Sequence, residues 1–232
     1  MKILVCFGTR PEAIKMAPII KELQGRKLDF KVCITSQHRD MLDQVLTFFN
    51  IVPDFDLQLM KPGQSLNALS AGILNSICTM FNEYLPVLVL VQGETTSASI
   101  RALAAFKRSI SVGHVDAGLR TYNKKSPFPE EGNRQIISKI ADYHFAPTKE
   151  ASNNLKNEGT DPKSILITGN TVVDALSWAK EISGSYLVTN EVQELKNRLD
   201  SNKKLILVTG HRRESFGEGI KNVCEAILEI SE

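Results

Sequence analysis

The sequence predicts an α/β fold built on a doubly wound parallel sheet. Strand-like and helix-like segments alternate along the chain. Several strand-like segments are nearly continuous apolar runs, the pattern of parallel strands buried on both faces. The first of them, Ile3-Leu4-Val5-Cys6-Phe7, passes through a glycine turn directly into a helix start.

The opening strand covers 3–7. Gly8 suits the tight turn after it, Thr9 is an N-cap residue type, and Pro11 belongs in a first helical turn. A helix is therefore expected over 11–23, kinked at Pro18. A second strand over 30–35 leads to a helix over 40–49. A helix over 66–83 precedes the apolar strand 87–91, and a helix over 97–106 follows it. Strand 111–115, helix 131–141, strand 143–146, helix 149–158 and strand 165–168 continue the alternation. No internal repeat or low-complexity segment interrupts it. Beyond 168 the patterns are helix 172–183, helix 191–199, strand 205–209 and helix 218–230. One strand and three helices cannot build a second doubly wound sheet, which takes roughly a hundred residues. The expected organisation is a first domain over 1–168, with a linker helix and the start of an incomplete second domain over 169–232.

The composition sets limits on function. The chain has 232 residues, 42% of them hydrophobic, so a substantial core is available and disorder is not expected. A formal net charge of +2 lacks the basic bias of a general nucleic-acid binder. The cysteines Cys6, Cys33, Cys78 and Cys224 form no CxxC pair, and reduced, buried thiols in a cytoplasmic protein are the simplest account. The N-terminus leads straight into a strand without a signal-peptide pattern, and no apolar run approaches the ~18 residues of a membrane helix.

Open α/β sheets bind ligands beyond the carboxyl ends of their strands, so residues at those ends are the candidates for chemistry. At the first, backbone N–H groups and the helix dipole attract anions, and Arg10 adds a forked cation shaped for phosphate. The same residues also make an ordinary βα turn with a surface arginine. After 87–91 comes Gln92-Gly93-Glu94-Thr95-Thr96, where Glu94 is either an acid/base group or a partner of the helix dipole. After 111–115 comes Asp116-Ala117-Gly118-Leu119-Arg120, where Asp116 is either a reactive carboxylate or a turn residue bonded to its own backbone. His114, inside that strand, reads as a core histidine. The stretch Ser126-Pro127-Phe128-Pro129-Glu130-Glu131 is a rigid loop that delivers two carboxylates to a helix start. Strand-end carboxylates gathered on one rim suit paired acid/base work, and nothing has metal-ligand spacing. In the last element, Gly210-His211-Arg212-Arg213, His211 can donate a hydrogen bond to a phosphate oxygen.

Taken together, these strings resemble the non-hydrolysing UDP-N-acetylglucosamine (UDP-GlcNAc) 2-epimerases. The resemblance is carried by Phe7 through Pro18, Gln37-His38-Arg39, Gly113 through Thr121, Pro129-Glu130-Glu131 with Asn133-Arg134, Thr168 through Leu176, and Thr209 through Gly217, in order and in register. It implies a Rossmann-like first domain of a two-domain glycosyltransferase-B-like architecture, with the nucleotide sugar held between the domains. The implied reaction interconverts UDP-GlcNAc and UDP-N-acetylmannosamine (UDP-ManNAc) by eliminating UDP and adding it back, without a cofactor or metal. Carried over residue by residue, the acid/base carboxylates fall on Glu94, Asp116 and Glu130. His211 and Arg10 fall on the phosphate side, with Lys15 close by and Arg134 among the substrate-binding residues. A second, activating UDP-GlcNAc in some bacterial members is matched by Lys15, Gln37 and His38. The resemblance also implies a cytoplasmic homodimer that supplies a surface-polysaccharide precursor.

The chain departs from the family pattern in places. Glu94 stands where the family usually has Asp, and Asp116 where it has Glu, two length changes of opposite sign. Gln92 replaces a common His. The family's second domain continues well beyond Glu232, so this chain is expected to be a poor catalyst by itself. Two other readings stay open: a glycosyltransferase of the same architecture, and a non-catalytic nucleotide-sugar-binding module.

Overall fold

In the chain order, β1 (Ile3–Phe7) leads to α1 (Arg10–Gly25), β2 (Phe30–Ile34) to α2 (Arg39–Phe48), and β3 (Phe55–Asp56) to α3 (Leu66–Tyr84). Then come β4 (Leu88–Gln92), α4 (Thr96–Phe106), β5 (Ser111–Val115), α5 (Glu130–Ile140), β6 (Tyr143–Ala146), α6 (Lys149–Asn157), β7 (Ile165–Ile167) and α7 (Thr171–Ser185). The helices α8 (Asn190–Arg198) and α9 (Glu218–Ser231) follow. This computed structural model describes residues 1–35, 39–59, 63–185, 190–200, 202–206, 208 and 217–231. The chain divides into two compact units, Met1–Tyr186 and Leu187–Glu232.

The first unit holds one seven-stranded sheet in the order β3-β2-β1-β4-β5-β6-β7, with every pairing parallel. The order reverses between β1 and β4, the switch point of a Rossmann-like sheet, where a crevice opens at the strand ends. Alternation along β1 divides the core. Val5 and Phe7 face Met16, Ile20, Leu42 and Leu46 of α1 and α2. Leu4 and Cys6 face the other way, with Ile77 and Met80 of α3 and Ala102 of α4. The near-continuous apolar strands are thus buried on both faces, as their composition requires. The short β3, paired to Cys33 and Ile34, has no counterpart among the predicted strands. Its two residues are too few for a period to register.

Helix α1 runs through Pro18 as one helix. Its start follows local chemistry: Thr9 caps it and Pro11 occupies the first turn, where no N–H is needed. Helix α7, read from the sequence as a linker beyond 168, packs on the first unit. The Trp178 ring lies 4.8 Å from that of Phe49, and the Lys21 ammonium sits 4.3 Å above Trp178. Contacts of this kind contribute about 0.5–1.5 kcal/mol each beyond area burial, which explains why the first unit extends through α7.

In the second unit, α8 and α9 match the predicted helices, and the described residues of the expected strand 205–209 carry no strand. Among the described residues, no helix is long and apolar enough to cross a membrane. The four cysteines are free, as expected, with Cys6 and Cys33 buried in register on adjacent strands. Burial is not general, however, since Cys78 is half-buried and Cys224 exposed.

Candidate active site

The site is built on the loops that leave β1, β4 and β5. The β1–α1 turn needs Gly8 because a Cβ there would lie 2.2 Å from Thr35 Oγ1. The close approach is organised by Arg101 of α4, which is fully buried and donates through Nη2 to Phe7 O (3.1 Å) and Thr35 Oγ1 (2.6 Å). Arg101 thereby ties the carboxyl ends of β1 and β2 together from beneath. Two N–H groups just ahead of α1 are already used within the protein: Glu12 Oε2 accepts from Gly8 (2.6 Å) and Thr9 (3.0 Å).

The β4–α4 turn carries Glu94. Gly93 has a φ of 72° that a side chain would strain, its N–H donates to Val115 O, and its carbonyl accepts from His114 Nε2 at 2.8 Å. A carbonyl can only accept, so this bond places a proton on His114 Nε2. Burial pushes its pKa from 6.5 down to about 4, against the opposing pull of the Gly93 carbonyl. The strand histidine is therefore a neutral clamp on the turn ahead of Glu94. Asn133 Nδ2 holds the Glu94 carbonyl at 2.9 Å, and Arg134 Nη2 binds Glu94 Oε1 at 2.9 Å.

Asp116 follows β5 with a φ of 63°, a left-handed conformation that Asp tolerates better than most residues. It is buried, and its Oδ2 is bonded by both Lys15 Nζ and Gln92 Nε2, the latter at 2.8 Å. Gln92 thus has a defined role as a donor to this carboxylate.

The two carboxylates at the α5 start separate cleanly. Glu131 is buried and accepts from Thr121 N–H (3.0 Å), Tyr122 N–H (3.2 Å), Gln135 and Arg134. Burial by itself would raise its carboxyl, but these hydrogen bonds together outweigh it and hold the group below the usual carboxylate range. Glu131 is structural: it pins the loop that follows Gly118. Glu130 is half-buried and its Oε2 is buried without a hydrogen-bond partner among the described residues.

A cleft of about 470 Å³ joins these elements. Lys15, Gln92, Glu94 and Glu130 line it, with Thr9 and Thr95 at the helix starts. Asp116 sits behind this wall, bonded to Lys15 and Gln92. Arg134 acts through Glu94 and Glu131. Arg10 is exposed and lines a different, largely apolar hollow with Ile14, Val45, Phe48 and Leu176. Gln37, His38 and His211 lie outside the described residues, as does most of the Thr209–Gly217 string. Among the described residues, no three His, Cys, Asp or Glu side chains are grouped to hold a metal ion. Sequence reasoning missed Glu12, Gln92 as a donor, and Arg101. Only Glu12 had a local signal, the Thr-x-x-Glu capping box of Thr9 to Glu12.

The family profile of UDP-N-acetylglucosamine 2-epimerases matches residues 21–232. A UDP-N-acetylglucosamine 2-epimerase of Salmonella typhimurium (strain LT2) is 50% identical over 100% of this chain, which spans 62% of that protein's length. The solved structure of a UDP-GlcNAc 2-epimerase from Neisseria meningitidis, bound to UDP-GlcNAc, superimposes with a TM-score of 0.91. It is 48% identical and covers 100% of this chain and 62% of its own. A lipopolysaccharide outer core galactosyltransferase at 15% identity and TM-score 0.55 shares the fold alone. With its Rossmann-like sheet, its acidic strand ends and a matched profile over most of its length, the chain belongs to the UDP-N-acetylglucosamine 2-epimerase family.

Proposed function

We propose that this site carries the sugar chemistry of a UDP-GlcNAc 2-epimerase. The observation that carries the reading is the meeting of Glu94 and Glu130 on one cleft wall, with Asp116 directly behind it. Inversion at C2 needs proton handling on both faces of the sugar, hence more than one carboxylate. In the first step a carboxylate takes the C2 proton, the C1–C2 double bond forms, and the C1–oxygen bond breaks with its electrons leaving on UDP. Return of a proton to the opposite face of C2 and re-addition of UDP at C1 give UDP-ManNAc.

The partners of the carboxylates divide their roles. Glu130, with an oxygen free of competing bonds, is the group best placed to exchange a proton with the sugar. Glu94 and Asp116 are paired with cations, Arg134 and Lys15 respectively, and act once substrate displaces part of that pairing. Arg10 and His211 serve the departing diphosphate, which needs cations and donors as charge develops. Gln37 and His38 belong to an activating site, and the protein works as a cytoplasmic homodimer that supplies surface-polysaccharide synthesis. A second reading, a nucleotide-sugar-binding module without turnover, is favoured by the cations already seated on two of the carboxylates, Lys15 on Asp116 and Arg134 on Glu94.

The deciding experiment is incubation of the purified chain with UDP-GlcNAc in D₂O, followed by NMR of C2 and of the products. Slow incorporation of deuterium at C2 with UDP-ManNAc appearing is the expected result for this chain by itself, lowered about 10²-fold or more by Glu130→Gln. Binding of UDP-GlcNAc without exchange supports the second reading. Transfer of the sugar to an acceptor with C2 protonated throughout overturns both.

A further inference from the structure

We infer that Glu12 is a positioning residue of this site: its carboxylate locks the turn that carries Glu94 to the helix that carries Lys15. The inference rests on the epimerase reading for its kinetic consequence, and on geometry alone for the lock itself.

Glu12 is only 3% exposed, and both of its oxygens are used. Oε2 accepts from Gly8 N–H at 2.6 Å and Thr9 N–H at 3.0 Å. Oε1 accepts from Thr95 Oγ1 at 2.6 Å. A capping box requires only the Thr9 bond. The bond to Thr95 does something else, because it spans 83 positions of sequence and ends on the N-cap of a different helix. Thr95 Oγ1 at the same time accepts from Ala98 N–H at 3.1 Å. The N-caps of α1 and α4, on either side of the switch point, are thus joined through one carboxylate.

This junction bears on the reacting groups. Thr95 directly follows Glu94. The turn is held at successive residues, by His114 at the Gly93 carbonyl, by Asn133 at the Glu94 carbonyl and by Glu12 at the Thr95 hydroxyl. Of these clamps, Glu12 is the one that comes from α1, and Lys15 lies on the same helix and lines the same cleft. The Glu12–Thr95 bond therefore sets the spacing between Glu94 and the Lys15–Asp116 pair. Misplacement by about 1 Å is enough to slow a reaction up to about 10²-fold.

The test uses the full chain with Glu12→Ala, Glu12→Gln, Thr95→Val and Thr95→Ser. Amide hydrogen exchange and chemical shifts by NMR read the lock without any turnover. In Glu12→Ala, the Gly8 and Thr9 amides are expected to exchange at least about tenfold faster and the Glu94–Ser97 resonances to move, while Val89–Val91 stay in place. Glu12→Gln keeps the shape, but its amide nitrogen cannot accept, so a bond to Thr95 survives only with the hydroxyl turned round to accept from it. It guards against misfolding of the alanine variant and is expected to move the resonances of one turn. For C2 exchange, Glu12→Ala and Thr95→Val are expected to lower kcat about tenfold with KM within about twofold, and Thr95→Ser, which keeps the hydroxyl, to recover both readouts relative to Thr95→Val. Unmoved Glu94–Ser97 resonances in both Glu12 variants overturn the inference, whether or not the chain turns over. If the wild-type chain shows no C2 exchange, the epimerase reading fails and the amide measurement still decides the lock.

Discussion

His114 shows how one residue carries both stability and geometry. Its ring is neutral in the folded chain, with a pKa of about 4 against an ordinary 6.5, and its Nε2–H holds the turn before Glu94. The unfolded chain takes up a proton near pH 6.5 that the folded chain refuses until about pH 4. The stabilisation is therefore complete above the unfolded value and is lost as the pH falls through this window. Moving from pH 7 to pH 5 is expected to remove about 2 kcal/mol of unfolding free energy through His114. Urea denaturation at the two pH values measures it. His114→Asn should remove most of that pH dependence while lowering stability at pH 7. The neighbouring carboxylates show the same dependence on surroundings. Glu130 and Glu131 are adjacent in the chain, yet one faces the cleft with an oxygen unpaired and the other is consumed by the loop it pins. No feature of the residue type separates them.

At the level of elements, the site depends on how tightly the strand-end loops are drawn against the helices. The loop after β5 is the clearest case. Gly118 has a φ of 86°, and a Cβ there would lie 2.1 Å from the carbonyl oxygen of Ala151 in α6. Asn154 of α6 donates to the Gly118 carbonyl at 3.0 Å, and Arg120 binds Glu158 through Nε at 2.7 Å and Nη2 at 2.8 Å. These contacts tie the Asp116 loop to α6. Gly118→Ala combines backbone strain with a backbone clash and is expected to destabilise the chain by about 3 kcal/mol or more, measured as a shift in the urea midpoint. Should that variant match the wild type, the loop is free to move away from α6 and the argument for its fixed geometry fails.

Across the whole molecule, burial is unevenly distributed between the units. In the first unit, β1, β4 and β5 are almost wholly inaccessible, with Leu4, Val5, Phe7, Val89, Val91 and Val112 at or near zero exposure. In the second, α9 leaves Ile220, Val223, Ile227, Leu228 and Ile230 exposed. Local opening is cheapest where few apolar contacts are lost. Hydrogen exchange followed by mass spectrometry on the intact chain is therefore expected to label α9 peptides first and those of β1 and β4 last. Equal protection of α9 and β1 would contradict this distribution.

The sequence alone determined the elements and their class. Apolar runs, helical periods, Thr9 and Pro11 at the α1 start, and Gly8 at the turn are short-range signals. They marked the helices and all the sheet strands except the short β3. The same reading placed Glu94 and Asp116 at strand ends, which a parallel sheet gathers on one rim, and Glu130 at a helix start reached from the same rim. Tertiary structure decided which of these groups is free and which is committed. Lys15 meets Asp116 across 101 positions, Arg134 meets Glu94 across 40, and Glu12 meets Thr95 across 83. Such pairings arise only when distant loops are brought to one crevice. Local patterns record the backbone conformation each residue prefers, and partners so far apart in the chain leave no period or spacing from which the pairing can be read.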